Sequence, residues 1–149
     1  MKSQTRIRVV LGLSILIVGI SLFAYAIRIQ RSTQVFPATV NRDCAPWDGA
    51  AFTVRIALSG GDIIDISIWQ SPEIKFPVTF SFPDNTGQVG NAILNHPVGL
   101  PEPMSGTVFF WRVDRENPVE GKFDFVTETG ERFEGQFKAE WENQTMMCG

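Results

Sequence analysis

The sequence predicts an all-β domain, either an antiparallel β-sandwich or a small, partly closed barrel of six or seven strands, preceded by one N-terminal transmembrane helix. Three observations predict this fold class. Residues 9–27 form a predominantly apolar run without a charge, Pro, Asn or Gln. From residue 52 onward, apolar side chains recur at every second position, which is the period of a strand with one buried face. Gly, Pro, Asn and Asp interrupt this pattern at short intervals, as turns between strands do.

Charge divides the chain into two unlike parts. Before Asp43 there are six basic residues and no acidic one, whereas from Asp43 onward seven basic residues stand against sixteen acidic ones, a net charge of −9. A domain this negative repels phosphate backbones, so we do not expect it to bind nucleic acid. The predicted organisation is a cytoplasmic basic tail at 1–8, a transmembrane helix at 9–27, a juxtamembrane linker at 28–42 and a β domain at 43–149.

The apolar run Val9–Ile27 contains 19 residues, and about 20 residues of helix cross the hydrocarbon core of a bilayer. A cleaved signal peptide is the alternative, because a basic tail precedes the run and Ala24–Ala26 has the small-x-small form of a cleavage site. The length of the run, and Arg28 and Arg31 directly after it, favour a retained anchor. The more strongly basic flank precedes the run, which keeps the N-terminus in the cytoplasm.

Three small residues, Gly12, Gly19 and Ala26, recur every seven positions within this segment. On a helix they form one stripe along which a second helix backbone can approach closely. The alternative is that glycine is common in membrane helices generally. The first interpretation predicts a helix-packing face and a partner that is itself a membrane protein.

Two cysteines, Cys44 and Cys148, bracket the predicted β domain. In an oxidising compartment such a pair is expected to form a disulfide that ties the two ends of the domain together. Neither cysteine has a neighbouring Cys or His that could complete a metal site. The sequence therefore predicts a single-pass protein of the bacterial inner membrane with its C-terminal domain in the periplasm.

The alternation predicts a β-hairpin over residues 52–68. A three-residue loop at Gly60–Asp62 pairs Leu58 with Ile64 and keeps the apolar side chains of both strands on one face. A two-residue turn would instead place an isoleucine opposite Asp65, so the register favours the longer loop.

A further strand is predicted over Ile74–Phe82, with Pro77 at a sheet edge because proline cannot donate a ladder hydrogen bond. The stretch Pro83–Ser105 contains four prolines. It is predicted to be irregular, with one short strand at Asn91–Asn95.

Three more strands are predicted over Thr107–Val113, Val119–Thr127 and Arg132–Trp141. A three-residue loop at 128–130 joins the last two. In that register Phe123 faces Gly135 and Phe137 faces Gly121, so each ring can lie over a glycine of the opposite strand.

The segments GTV at 106–108, GKFDF at 121–125 and GQF at 135–137 form a strand followed by a G-x-F-x-F hairpin. This pattern resembles that of small exported bacterial β-domains. The resemblance covers the last third of the chain and supports the predicted fold. Few such domains have an assigned activity, so the resemblance implies none.

Candidate chemistry is sparse. His96 stands alone in a proline-rich loop, and the turn Asp114–Asn117 offers oxygen ligands but lacks the spaced acids of a dedicated calcium loop. Trp69, Trp111 and Trp141 lie on predicted strands, where core packing is expected rather than an exposed sugar-stacking platform. Trp47 is the best candidate for an exposed contact with a partner, or it covers the disulfide.

We therefore expect no catalytic residues, no metal and no cofactor. The expected function is a non-catalytic, membrane-anchored accessory or assembly subunit of an inner-membrane protein complex, whose partner is another integral membrane protein or complex. The alternative is a periplasmic binding module for a lipid, sugar or other small ligand, held between the sheets or on an aromatic face.

Overall fold

A computed structural model describes residues 34–46, 50–69, 74–84, 89–114 and 117–142. Within these ranges every regular element is a strand. The eight strands are β1 (Val35–Cys44), β2 (Ala50–Ala57), β3 (Ile63–Trp69), β4 (Val78–Phe82), β5 (Gly90–Asn95), β6 (Glu102–Arg112), β7 (Val119–Thr127) and β8 (Arg132–Trp141). The all-β prediction is confirmed for this part of the chain.

Seven of the strands form a closed barrel in the order β1, β2, β3, β5, β6, β7, β8 and back to β1. Strand β4 is additional. It pairs with the same edge of β6 as β5 does, but further along: Val78 lies opposite Phe110, whereas β5 pairs with β6 only at Pro103 and Glu102. The architecture is therefore a closed barrel and not a sandwich or a partly closed barrel.

Closure requires one parallel pair of strands. Neighbouring strands in a ring cannot all alternate in direction when their number is odd, and here β1 and β8 run parallel, with Ala38 opposite Ala139. All other neighbours are antiparallel. The prediction of an antiparallel sheet throughout is wrong at this seam, because β1 was not recognised as a strand.

Strand β1 occupies most of the predicted juxtamembrane linker at 28–42. Phe36, Ala38 and Val40 point to the interior, and Val40 is fully buried. Polar residues and Pro37 interrupt this short alternation, which is why it was too weak to predict a strand. The linker prediction is wrong from Val35 onward.

The first hairpin has the predicted loop length but a different register. Ile56 lies opposite Ile64, and the amide of Leu58 donates to the carbonyl of Asp62 at 2.9 Å, so the loop is at residues 59–61. Shifting the register by two positions keeps both apolar rows inside. It also places Arg55 directly opposite Asp65, where the two side chains form an ion pair.

The C-terminal hairpin has the predicted register, with Phe123 opposite Gly135 and Phe137 opposite Gly121. The ring of Phe137 lies over Gly121 as predicted. Gly135 is covered differently, because the ring that lies over it belongs to Phe36 of β1. The phenylalanine-over-glycine arrangement therefore also fastens β1 to the hairpin.

Two boundaries differ from the prediction. Strand β4 begins at Val78, after a cis peptide bond between Phe76 and Pro77. Strand β6 begins at Glu102, inside the stretch predicted to be irregular. The short strand predicted at Asn91–Asn95 is confirmed as β5.

Aromatic side chains fill the barrel interior. Phe110 lies against three rings, those of Phe52, Phe137 and Phe80, with centroid distances of 5.5, 5.7 and 5.9 Å and steep interplanar angles. Isoleucines from β2 and β3 are fully buried beside them. Small barrels are just wide enough for side chains to fill, and edge-to-face ring pairs are a favourable way to fill them.

The strand connections gather at two ends of the barrel. The entry end contains Gln34 and the loops 58–62, 96–101 and 128–131, which are joined by side-chain contacts described below. The exit end contains the end of β1 at Cys44 and the end of β8 at Trp141, because these two strands are parallel neighbours.

Among the described residues there is no helix with the length and apolarity needed to span a membrane. The basic tail at 1–8, the segment at 9–27 and the start of the linker lie outside the described ranges. The anchor therefore stays a prediction.

Gly121→Ala is expected to lower the free energy of unfolding by about 2 to 3 kcal/mol. The added methyl carbon would lie 2.5 Å from the carbonyl oxygen of Phe109 and 2.5 Å from Cζ of Phe137. Gly130→Ala is the control, since Gly130 has a φ of +90° but open space around it, and about 1 kcal/mol is expected. Urea unfolding of both variants measures the difference, and equal losses would contradict this packing.

Candidate interaction surface

Trp111 faces outward from β6 and is 45% exposed, so the prediction that it packs in the core is wrong. The sequence Phe109-Phe110-Trp111 places three aromatic residues on consecutive positions of one strand. Alternation allows only one of them to point inward with its neighbours outward. Phe110 is the fully buried one, which leaves Phe109 and Trp111 on the outer face.

The other two described tryptophans, Trp69 and Trp141, are half-buried. Trp141 packs against the core, and its indole N–H donates to the carbonyl oxygen of Asp114 at 2.7 Å. An apolar body with a satisfied polar tip is the usual state of a buried tryptophan. The core-packing prediction therefore agrees with Trp141 and fails at Trp111.

Phe109, Trp111 and Lys122 form an outer cluster that we call the aromatic patch. The rings of Phe109 and Trp111 meet edge to face, with centroids 5.1 Å apart and planes at 90°. Lys122, opposite Phe109 on β7, places its ammonium group 5.3 Å from the centroid of the Phe109 ring. A cation above a ring face is attracted by the ring quadrupole, so the three side chains hold one another in place.

Two ion pairs border the aromatic patch. Arg112 Nε lies 2.8 Å from a carboxylate oxygen of Asp114, and Lys138 Nζ lies 3.3 Å from Glu120. Each of these bases is neutralised by its own acid. Among the described residues Lys122 has only the ring contact, so the patch carries one positive charge that no neighbouring carboxylate offsets.

In the turn considered for calcium, the carboxylate of Asp114 already has partners within the protein. The carboxylate of Asp114 accepts hydrogen bonds from the amide and the side chain of Asn117, at 2.8 and 3.0 Å, and pairs with Arg112. Arg115 and Glu116 lie outside the described residues. Across the described part of the chain, no group of three or more His, Cys, Asp or Glu side chains is arranged to hold a metal ion.

His96 lies at the entry end between two acids. Its Nδ1 is 3.1 Å from a carboxylate oxygen of Asp62, and its Nε2 is 4.0 Å from Glu102. The other oxygen of Glu102 accepts a hydrogen bond from the amide of Thr129 at 3.4 Å. These contacts join the three entry-end loops, which is a structural role for a surface histidine.

Two bidentate ion pairs brace the outer face. Arg55 contacts Asp65 at 3.0 and 3.3 Å, and Arg132 contacts Asp124 at 2.8 and 2.6 Å. The hydrogen bond to each aspartate, with its charge attraction, raises the pKa of Arg55 and of Arg132 above the ordinary value. A raised arginine pKa gives a stabilising contribution that is complete below the ordinary value and is lost only in strongly alkaline solution.

The predicted disulfide falls partly outside the described residues. Among the described residues no cysteine is free, and Cys44 is half-buried at the end of β1. Cys148 lies beyond the described ranges, as do Trp47 and the small residues Gly12, Gly19 and Ala26. The disulfide pairing, the contact at Trp47 and the helix-packing face therefore stay predictions.

Sequence reasoning missed four exposed or partly exposed residues: Phe109, Lys122, Val98 and Leu100. The three consecutive aromatics were a usable signal for Phe109, because at least one had to face outward. Val98 and Leu100 are separated from any strand pattern by prolines, and a branched aliphatic residue between prolines was also a usable signal of an exposed apolar loop.

No protein-family model matches the chain, and neither curated proteins nor solved structures match it at a significant level.

Trp111→Ala is expected to change the free energy of unfolding by less than about 1 kcal/mol, because the side chain lies on the surface. Trp141→Ala removes core packing and a hydrogen bond, and a loss of about 3 kcal/mol is expected. Urea unfolding measures both. A large loss at position 111 with little effect at position 141 would overturn the assignment of the outer and inner tryptophans.

Proposed function

We propose that this chain is a non-catalytic accessory or assembly subunit of an inner-membrane protein complex, anchored by residues 9–27 with its barrel in the periplasm. The observation that carries the proposal is the aromatic patch on the outside of a filled barrel. Tryptophan dominates the energetic centres of protein interfaces, and charged residues border them. The surface proposed to contact the partner is therefore the aromatic patch on the outer face of β6 and β7.

The partner of the aromatic patch is a protein surface that offers an apolar side chain next to a carboxylate. Arg112 and Lys138 are already paired with Asp114 and Glu120, whereas the Lys122 ammonium group still has donors to offer. The part of the chain from Asp43 onward has a net charge of −9. A positive group on such a surface selects an acidic contact and repels basic ones.

The periplasmic location draws support from the cysteines. Strands β1 and β8 are parallel, so Cys44 lies at the same end of the barrel as Glu142, whose amide donates to the carbonyl of Val40 at 3.0 Å. Cys148 follows Glu142 by six positions, and six extended residues reach roughly 20 Å. A Cys44–Cys148 disulfide therefore needs no rearrangement of the barrel, and such a bond persists only in an oxidising compartment.

The stripe of Gly12, Gly19 and Ala26 supplies the second contact of this proposal. Small residues at one face of a membrane helix allow close packing with another helix. A partner that engages both the stripe and the aromatic patch is an integral membrane protein with an exposed periplasmic segment.

The alternative, a binding module for a lipid, sugar or other small ligand, is less well supported. Phe52, Phe110 and Phe125 are fully buried in mutual or neighbouring ring contacts and occupy the barrel interior. Small-molecule sites need a preformed cavity. A ligand would instead have to stack on Trp111 from outside.

Site-specific photo-crosslinking in native membranes tests the proposal. A photoreactive amino acid at position 111 is expected to yield one discrete protein adduct, and the adduct is expected to survive Lys122→Arg and to be lost with Lys122→Glu, because only the latter reverses the charge that selects the partner. The same amino acid at position 55, on the opposite side of the barrel, is the control for random proximity.

Three results would count against this function. One is an adduct at position 55 equal to that at position 111. Another is an adduct at position 111 whose yield is the same with Lys122→Glu as with Lys122→Arg. The third is a protein that remains a lone monomer in mild detergent and tolerates leucine at both Gly12 and Gly19.

A further inference from the structure

Two aliphatic side chains project into solvent from the loop between β5 and β6. Val98 is 91% exposed and Leu100 is 86% exposed. They are the most exposed large hydrophobic residues of the described part of the chain. Isolated exposed apolar residues are common on protein surfaces. A functional interpretation of Val98 and Leu100 therefore depends on the contacts that fix their loop and on its location in the barrel.

The loop that carries Val98 and Leu100 is fixed at its base. His96 contacts Asp62 of the neighbouring loop at 3.1 Å. Pro97 packs closely on Gly61, since a Cβ at Gly61 would lie 3.2 Å from the proline Cγ. At the far side of the loop, Glu102 pairs with Leu94 in the sheet. The two aliphatic side chains are therefore presented outward from a braced support.

The loop lies at the entry end of the barrel, the end at which the chain arrives from its N-terminal segment. Strand β1 starts there, and the amide of Gln136 donates to the carbonyl of Gln34 at 2.8 Å. Val35, 62% exposed, and Val126, 38% exposed, lie toward the same end. Of the exposed large hydrophobic residues in the described ranges, only Trp111 lies toward the exit end.

The distance from this end to a bilayer is limited by the chain. Because β1 begins at Val35, only residues 28–34 separate the apolar segment from the barrel. Seven extended residues span roughly 25 Å. A tether of this maximum length allows the entry end to contact the lipid headgroups.

We propose that the β5–β6 loop inserts Val98 and Leu100 into the interfacial layer of the membrane that anchors the chain. The occupant is lipid because the outer part of the loop, residues 97–101, has no aromatic or basic residue of the kind that concentrates binding energy at protein interfaces. Burial of aliphatic carbon drives the contact. Asp62 and Glu102 lie at the loop base, where both contact His96, and their carboxylates repel anionic headgroups, so zwitterionic lipid is preferred. This inference rests on the proposed membrane anchor.

Spin labelling of the full-length protein in phosphatidylcholine vesicles tests the insertion. A nitroxide is attached to a cysteine introduced by Leu100→Cys and, as the control, by Glu140→Cys on the outer face near the exit end. Oxygen concentrates in lipid and a nickel chelate in water. The label at position 100 is expected to collide several-fold more with oxygen than with the chelate, and the label at position 140 is expected to show the opposite preference.

A second pair of measurements tests the chemistry of the contact. Val98→Asp in the Leu100→Cys background is expected to move the label from lipid to water, whereas Val98→Leu is expected to leave it in lipid. Vesicles rich in phosphatidylglycerol are expected to reduce the oxygen preference. Equal accessibility of positions 100 and 140 to the chelate overturns the inference, and so does shielding of position 100 from both reagents, which identifies a protein surface as the occupant.

Vesicle flotation in alkaline carbonate separates this inference from the proposed function. If the full-length protein does not float, it has no membrane anchor, and the proposed function is then wrong. Flotation together with a water-exposed label at position 100 leaves the anchor intact and overturns the loop insertion alone.

Discussion

The parallel pairing of β1 with β8 is the constraint on which the rest of the structure depends. Without β1, strands β2 and β8 would each present an unpaired edge, and open edges invite association with other chains. Phe36 lies over Gly135 and contacts Phe123 with ring centroids 5.6 Å apart, so the same strand that closes the sheet also completes the aromatic interior. Strand β1 therefore both closes the sheet and contributes to the core.

Closure also determines what each end of the barrel can do. A seven-strand ring with one parallel seam brings the start of β1 to the entry end and the ends of β1 and β8 to the exit end. The start of β1 and the loop with the exposed Val98 and Leu100 therefore lie at the same end of the barrel. The exit end combines Cys44 with the route to Cys148. The aromatic patch lies on the outer wall, available to a partner beside the barrel.

Much of the fold could be predicted from local pattern. The C-terminal hairpin was predicted with its loop and register because two Phe–Gly pairs and a glycine turn specify a single alignment. The first hairpin was predicted two positions out of register, because a shift by two residues keeps the isoleucines on the inner face. Only the pairing of Arg55 with Asp65 across the two strands identifies the correct register. Strand β1 was missed because Pro37 and polar residues interrupt its alternation, and because its parallel partner, β8, is far away in sequence.

The surface was harder to predict than the core. Alternation requires that at least one residue of Phe109-Phe110-Trp111 face outward, but it does not specify which one. The structure buries Phe110 and leaves Trp111 exposed at a bulge between Phe110 and Arg112. The exposed pair Val98 and Leu100 belongs to no periodic segment. The exposure of the aromatic patch and of Val98 and Leu100 depends on how the strands and loops pack in three dimensions. Hydrophobic periodicity along the sequence does not report that packing.

The proposed subunit role and the lipid contact both require an anchor, and therefore the retention of residues 9–27. N-terminal sequencing of the mature protein from the membrane fraction tests this. The mature protein is expected to begin at or next to Met1 and to retain the whole apolar segment. A mature N-terminus directly after Ala26 would contradict this expectation, since the barrel would then be released as a free periplasmic domain.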